Sequence, residues 1–185
     1  LDHDANMKLV AGFLAERGYH RLGLFGTPEP QPPHSRQALL EQHAQEAGLE
    51  CRRDWVIPGS DKLSRAYDEV RKLVGRRERP DSLFTHNDHT AIAVLAALRD
   101  AGIDVPGEMG VVGQDGVPSA AFLRPALSTL DLELPALFGA CVERLAALHG
   151  EGVKVTRRTV LAGRMVERDS TRCLYSRGSP GKINI

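Results

Sequence analysis

The sequence predicts an α/β fold built on a doubly wound parallel sheet, and three observations carry that expectation. Helix-like and strand-like segments alternate regularly as far as about residue 115. The connections between them are short and punctuated by glycine and proline. The strand-like runs are continuously apolar, as in strands covered on both faces. Together these are the signature of parallel strands linked by helices that pack on both sides of one sheet.

The first periodic segment runs from Asp4 to Arg17, with Met7, Val10, Phe13 and Leu14 on one helical face and Gly18 as the stop. Arg21 to Gly26 reads as a short strand. Thr27 to Pro33 holds four prolines and is expected to be an irregular loop. Ser35 can cap a helix that continues to Ala47 and stops at Gly48. Trp55 to Ile57 is the next strand, ended by Pro58-Gly59. Ser60 or Asp61 can then cap a helix whose inner stripe is Leu63, Ala66, Tyr67, Val70, Leu73 and Val74.

Ser82 to Thr85 and Gly110 to Gly113 are further strands, with a helix from Thr90 to Ala101 between them. That helix is apolar nearly all round, through Ile92, Val94, Leu95, Leu98 and several alanines, so it is expected to be covered on more than one side. Beyond Gln114 the pattern loosens. Pro118 to Leu123 can form one helical turn and Ser128 to Leu132 a strand. Pro135 suits the first turn of a helix reaching His149. Thr156 to Leu161 and Arg164 to Glu167 alternate like exposed edge strands, and periodicity is lost after Thr171, with disorder expected over Ser176 to Ile185.

Lys+Arg and Asp+Glu balance at 24 each over 185 residues. A nucleic-acid binder standing alone needs a basic face, because phosphate neutralisation supplies most of its affinity; this balance argues against one. Cys51, Cys141 and Cys173 are odd in number and widely spaced, which is neither a disulfide framework nor a zinc set and suits a reducing cytoplasm. No apolar run approaches the roughly 18 residues that span a bilayer. Leu1 opens no signal-like segment and stands in mid-pattern, so the chain is expected to be a piece of a longer polypeptide.

Ligands of doubly wound sheets gather beyond the carboxyl ends of the strands. The segments there are Thr27 to Arg36, Gly59 to Asp61, His86 to His89 and Gln114 to Gly116, giving Arg36, Asp61, Asn87, Asp88 and Asp115 as candidate ligand-binding residues. A guanidinium forks onto a diol or carboxylate, and Asn and Asp bond neighbouring hydroxyls, so the set suits a sugar. Each has a plainer role. Asn87 or Asp88 can be the N-cap of the following helix, and Asp115-Gly116 can be simple turn chemistry. Arg36 gains nothing from a helix dipole that favours acids at its start, which points toward a ligand. His86 and His89 lack the further converging groups a metal needs. No nucleophile elbow, phosphate loop or dinucleotide fingerprint is present, so neither catalysis nor a cofactor is expected.

Arg79-Pro-Asp-Ser-Leu-Phe-Thr-His-Asn-Asp88, the helix Ala91 to Gly102, Val105-Pro106 and Val111-Val-Gly-Gln-Asp115 resemble the effector-binding domain of LacI/GalR transcription regulators. Leu123-Arg-Pro-Ala-Leu-Ser-Thr129 resembles that family's Pro-Pro-Leu-Thr-Thr segment, Arg168-Asp-Ser-Thr171 its closing Arg-x-Ser-Thr, and Gly18 to Gly26 its strand entry. The resemblance spans essentially residues 2 to 171. It implies a periplasmic-binding-protein-like type I fold, two α/β sub-domains closing on a sugar or nucleobase, preceded by a helix-turn-helix that binds operator DNA as part of a homodimer. This chain would then be mainly the second sub-domain, about 1–129 and 152–171, with a crossover helix at about 133–150 belonging to a first sub-domain that precedes it. The Leu137, Cys141, Leu145, Leu148 stripe of that helix is expected to lie exposed or to dock on another chain.

Carried over by position, Arg36 matches the family's effector-contacting arginine, Asn87 and Asp88 its Asn-Asp pair, and Asp115 the first aspartate of its Gly-Phe-Asp-Asp motif. Gln114 stands where Phe or Tyr is usual, Gly116 where the second Asp is usual, and Asp61 and Leu134 where aromatics often face the ligand. The alternative reading is the solute-binding receptor of a transporter with similar bilobal architecture. An enzyme is the third, with Asp88 and Asp115 as its acid–base pair.

Overall fold

A computed structural model describes residues 1–27, 29–59, 62–148 and 160–173. Helix α1 (His3–Glu16) is capped by Asp2, whose carboxylate accepts from the Ala5 amide at 3.0 Å. It leads into β1 (Arg21–Gly26), α2 (Arg36–Glu46), β2 (Glu50–Pro58), α3 (Leu63–Val74), β3 (Ser82–Phe84), α4 (Asp88–Asp100) and β4 (Gly110–Asp115). A short 3-10 turn (Pro118–Phe122), β5 (Ser128–Asp131), α5 (Leu134–Leu148) and β6 (Arg164–Val166) follow.

The strands form one sheet in the order β2-β1-β3-β4-β5-β6, parallel from β2 through β5. Helices α1 and α2 cover one face with Met7, Val10, Leu14, Leu40 and Ala44. Helices α3 and α4 cover the other with Ala66, Val70, Val94 and Leu98. The doubly wound expectation therefore holds for the first five strands. At the far edge β6 runs antiparallel to β5, with Thr129 opposite Val166 and Asp131 opposite Arg164. The sheet is thus mostly parallel, with Arg164–Val166 at its edge. A parallel neighbour requires a long crossover, whereas an antiparallel edge strand can complete an otherwise parallel sheet.

The boundaries depart most from the sequence reading at three places. β2 begins at Glu50 rather than Trp55, because its first residues form a polar, solvent-facing edge that carries no apolar signal. Ser60 and Asp61 lie outside the described residues, and α3 starts after Lys62 with no side-chain cap bond. Of the strand expected at Thr156 to Leu161, residues 156–159 lie outside the described residues. Val160 and Leu161 are not in a strand; the Leu161 carbonyl instead accepts from the Asp2 amide at 2.9 Å. The expected disorder over Ser176 to Ile185 also lies outside the described residues.

The motif Arg168 to Thr171 closes the fold. The Ser170 hydroxyl donates to the Val111 carbonyl at 2.6 Å and accepts from the Ser128 amide at 2.8 Å, joining β4 to β5. Ser128 and Thr171 hydroxyls meet at 2.7 Å, and the Arg168 guanidinium donates to the Leu127 carbonyl at 2.7 Å. Buried Arg17, the C-cap of α1, pairs with Glu167 at 2.5 Å. On α5 the outward apolar residues are Phe138, Val142 and Leu145, with Cys141 exposed beside them. Of the expected stripe, Cys141 and Leu145 are exposed and Leu137 is half-buried, while the Leu148 side chain lies outside the described residues.

Candidate functional site

The chain turns in opposite directions from β1 and β3: β2 joins on one side of β1, and β3, β4 and β5 build outward on the other. Between the carboxyl ends of β1 and β3 the connections diverge, leaving a crevice at the topological switch point. An open cleft of about 440 Å³ lies there. Leu24, Leu40 and Phe84 line its apolar part, and Phe25, Arg36 and His86 stand among its other walls.

Local chemistry builds this cleft. The Ser35 hydroxyl accepts from the Ala38 amide at 3.1 Å and starts α2, as its capping chemistry predicts. Arg36 is thereby the first residue of that helix. Gln37 ties down the loop: its Oε1 accepts from the Thr27 amide at 3.0 Å, and its Nε2 donates to the Thr27 carbonyl at 2.8 Å and to Glu41 at 2.9 Å. Gly26 leaves room for this side chain, since a Cβ there would fall 2.2 Å from Gln37 Oε1. Arg36 is exposed at the cleft and, among the described residues, makes no hydrogen bond or ion pair. The Phe25 and His86 rings lie 5.8 Å apart and tilted by 56°, forming one aromatic wall.

The Asn87-Asp88 pair divides its labour. Asn87 caps α4, its Oδ1 accepting from the Thr90 amide at 2.7 Å. Asp88 is 1 % exposed and points into the fold. Its Oδ1 accepts from the Thr129 hydroxyl at 2.6 Å and its Oδ2 from the Val117 amide at 2.9 Å. Burial pushes this carboxyl above its ordinary range, against bonds from Thr129, Val117 and Gly116 that favour its charge. Asp88 is therefore a brace holding the β4 and β5 ends together. Gly113 makes room for it, because a Cβ there would meet Asp88 Oδ1 at 2.1 Å.

Asp115 ends β4 at φ 117°, half-buried. Burial and the neighbouring Asp88 charge raise its carboxyl, while a bond from Gln114 and the Arg36 charge oppose them. Arg36 and Asp115 thus sense each other across the sheet end. Gln114, in place of the usual aromatic, is buried and donates to the His86 carbonyl at 3.4 Å, linking β4 to the β3 loop. Gly116 has φ 76°, and a Cβ there would lie 2.8 Å from Asp131 Cα, so the turn admits no second aspartate. Asn87, Asp88, Asp115, Ser119 and Leu123 help line a second concavity of about 260 Å³.

The structure therefore brings Arg36, Asn87, Asp88 and Asp115 to one sheet end, Asp88 being the most deeply buried of them. Asp61 lies outside the described residues. Phe25, His86 and Gln37 escape the sequence reading: Phe25 looks like any core strand residue, and His86 stands out there only as a metal ligand without partners. Its position immediately after a strand is the signal that could have found it. Among the described residues no cluster of His, Cys, Asp and Glu could hold a metal ion, and no helix is long and apolar enough to cross a membrane.

Residues 11–171 match the periplasmic binding protein-like domain. The HTH-type transcriptional repressor PurR of Pectobacterium carotovorum is 29% identical over 123 residues, covering 66% of this chain and 36% of that protein. PurR of Klebsiella pneumoniae is 26% identical over 167 residues, covering 87% and 48%. The chain thus spans about a third to a half of the curated relatives it matches. A LacI family transcriptional regulator from Arthrobacter sp. FB24, solved in complex with lactose, superposes with a TM-score of 0.80 at 26% identity, over 92% of this chain and 64% of that one. A regulatory protein of LacI family from Chloroflexus aggregans shares the fold with a TM-score of 0.81 at 22% identity, covering 92% and 62%.

Proposed function

Since the chain belongs to the periplasmic binding protein-like domain family, in its LacI/GalR effector-binding form, we propose that it is one wall of a ligand-sensing clamp in a transcription regulator. The observation that carries this reading is the Arg36 guanidinium, unpaired among the described residues, beside the Phe25–His86 wall at the switch point. A guanidinium fork with an aromatic face suits a sugar, whose ring has hydroxyl edges and an apolar side. The lactose held by a related regulator supports that class, and a nucleobase is the second ligand chemistry the cleft accepts. Asn87 and Asp115 are the further ligand contacts in this reading, and Asp61 belongs to the same proposed rim.

The clamp works without catalysis. Closure of two sub-domains favours the state that binds ligand better, and the difference in affinity is what the DNA-binding part senses. DNA contact is assigned to a preceding helix-turn-helix, in a cytoplasmic homodimer. α5, with Phe138, Val142 and Leu145 outward, is assigned to the first sub-domain of the clamp.

The coding DNA upstream of Leu1 tests the reading. It expects an in-frame segment carrying a helix-turn-helix, whose full product releases or grips its operator when lactose or another sugar is added. A secretion signal there would instead make the protein a transporter's solute receptor. The described wall alone is expected to bind lactose no better than millimolar in titration calorimetry, because formed sites bury roughly 70–90% of a ligand and an open cleft does not.

A further inference from the structure

His43 lies on α2 two turns beyond Arg36 and is 7 % exposed. Its Nε2 stands 2.9 Å from Asp4 Oδ1 on α1, and its Nδ1 stands 3.0 Å from Glu46 Oε2 on its own helix. A neutral imidazole has one N–H and one lone pair, so it can donate to only one of two ionised carboxylates. Both contacts are satisfied together only by the imidazolium, which donates from each nitrogen.

From this geometry we infer that His43, as a cation, latches α2 to the first turn of α1 and thereby positions Arg36 at the cleft. The inference rests on the reading of Arg36 as a ligand contact. α1 packs along α2, and the Arg36 charge reaches His3, next to Asp4, whose imidazole is held below its ordinary range first by burial and then by that charge. The apolar layer between the two helices, Met7, Val10 and Leu14 against Leu40 and Ala44, transmits the register.

The charged and titratable groups around the latch are few. α1 offers His3, Asp4 and Lys8, the last acting on Glu46. α2 itself offers Glu46, and also Glu41, whose charge reaches the Cys51 thiol. β2, packed against α2, brings Glu50 and the Cys51 thiol, which burial pushes up to about 12 and so keeps neutral. β1 contributes Leu22 and Leu24 to this layer. Burial opposes a charge on His43, and the Asp4 and Glu46 bonds outweigh it, leaving the imidazole above its ordinary range. For a base raised in the folded state, the stabilisation is full below the ordinary value of about 6.5 and is lost as pH rises through the folded value.

The test is a nuclear magnetic resonance titration of the chain without ligand, following the imidazoles of His3 and His43 and the backbone amides of Arg36 to Ala38. The expected result is a His43 midpoint above about 6.5, with both ring nitrogens protonated below it. The Arg36 to Ala38 amides should move with that midpoint and not with the lower one of His3. In Asp4→Asn, an exposed substitution that spares the core, the His43 midpoint falls. Amide exchange at the start of α2 then quickens roughly two- to fivefold, as for loss of a partly exposed ion pair. A His43 midpoint at or below about 6.5, or α2 amides indifferent to it, overturns the latch. Sugar titration of the full product with and without Arg36→Ala separates this from failure of the ligand reading. If the amides follow His43 but Arg36→Ala leaves binding untouched, the latch stands and the role of Arg36 falls.

Discussion

The two ends of β3 each carry a buried aspartate, and the sheet uses them differently. At the amino end Asp81, 8 % exposed, accepts from the His20 and Arg21 amides at 3.1 and 2.9 Å, where β1 begins. Nearby Arg172 lies 4.4 Å over the Tyr19 ring and donates to the Gly18 and Gly107 carbonyls, each at 2.9 Å. The polar groups of that end brace the fold. At the carboxyl end Asp88 is bonded just as fully, but above it stand an Arg36 with no partner among the described residues and a half-buried Asp115. In the clamp proposed above, that contrast separates a ligand site from a structural joint.

Substitutions should tell the two ends apart. The largest effect is expected from Asp88→Ala, which leaves the Thr129 hydroxyl and the Val117 amide unpaired in the interior. It should lower unfolding free energy in urea by about 3 kcal/mol, and a loss under about 1 kcal/mol would remove Asp88 as a brace. Asp81→Ala comes next, at about 1–2 kcal/mol, with no change in ligand affinity. Arg36→Ala should invert that pattern. Its stability should stay within about 0.5 kcal/mol of the parent, while sugar affinity of the full product falls roughly tenfold or more. A destabilised Arg36→Ala would make the two sheet ends alike. The smallest effect concerns the cysteines: at pH 8 exposed Cys141 and Cys173 should take up iodoacetamide, while half-buried Cys51, its thiol at about 12, should remain unlabelled in mass spectrometry.

Much of this architecture was legible in the sequence, because fully buried strands such as Leu22 to Phe25 and Val111-Val112 announce themselves by apolarity and their helices by period. The beginning of β2 was not, since Glu50 to Asp54 are mostly polar and lie at the sheet edge, where only Glu50 and Cys51 pair with β1 before the register shifts to Val56. Arg36 could be singled out by its unfavourable place at a helix start. The division between Asn87 as cap and Asp88 as brace could not, because both residue types cap helices equally well. Only Thr129, forty-one residues away, decides it. Gly113 and Gly116 read as ordinary turn and strand glycines until the carboxylates of Asp88 and Asp131 occupy the space a side chain would need.

The closing motif has a consequence for how the protein is made. Arg17 must wait for Glu167, 150 residues later in the chain, and Val111 and Ser128 must wait for Ser170. During synthesis the first five strands can therefore assemble with one seam unsewn, the Arg17 guanidinium and the β4–β5 edge still wet. Only when residues 164–171 emerge can that seam close. A nascent chain stalled before Glu167 should then be more easily cut by protease in α1 than one that has passed Thr171.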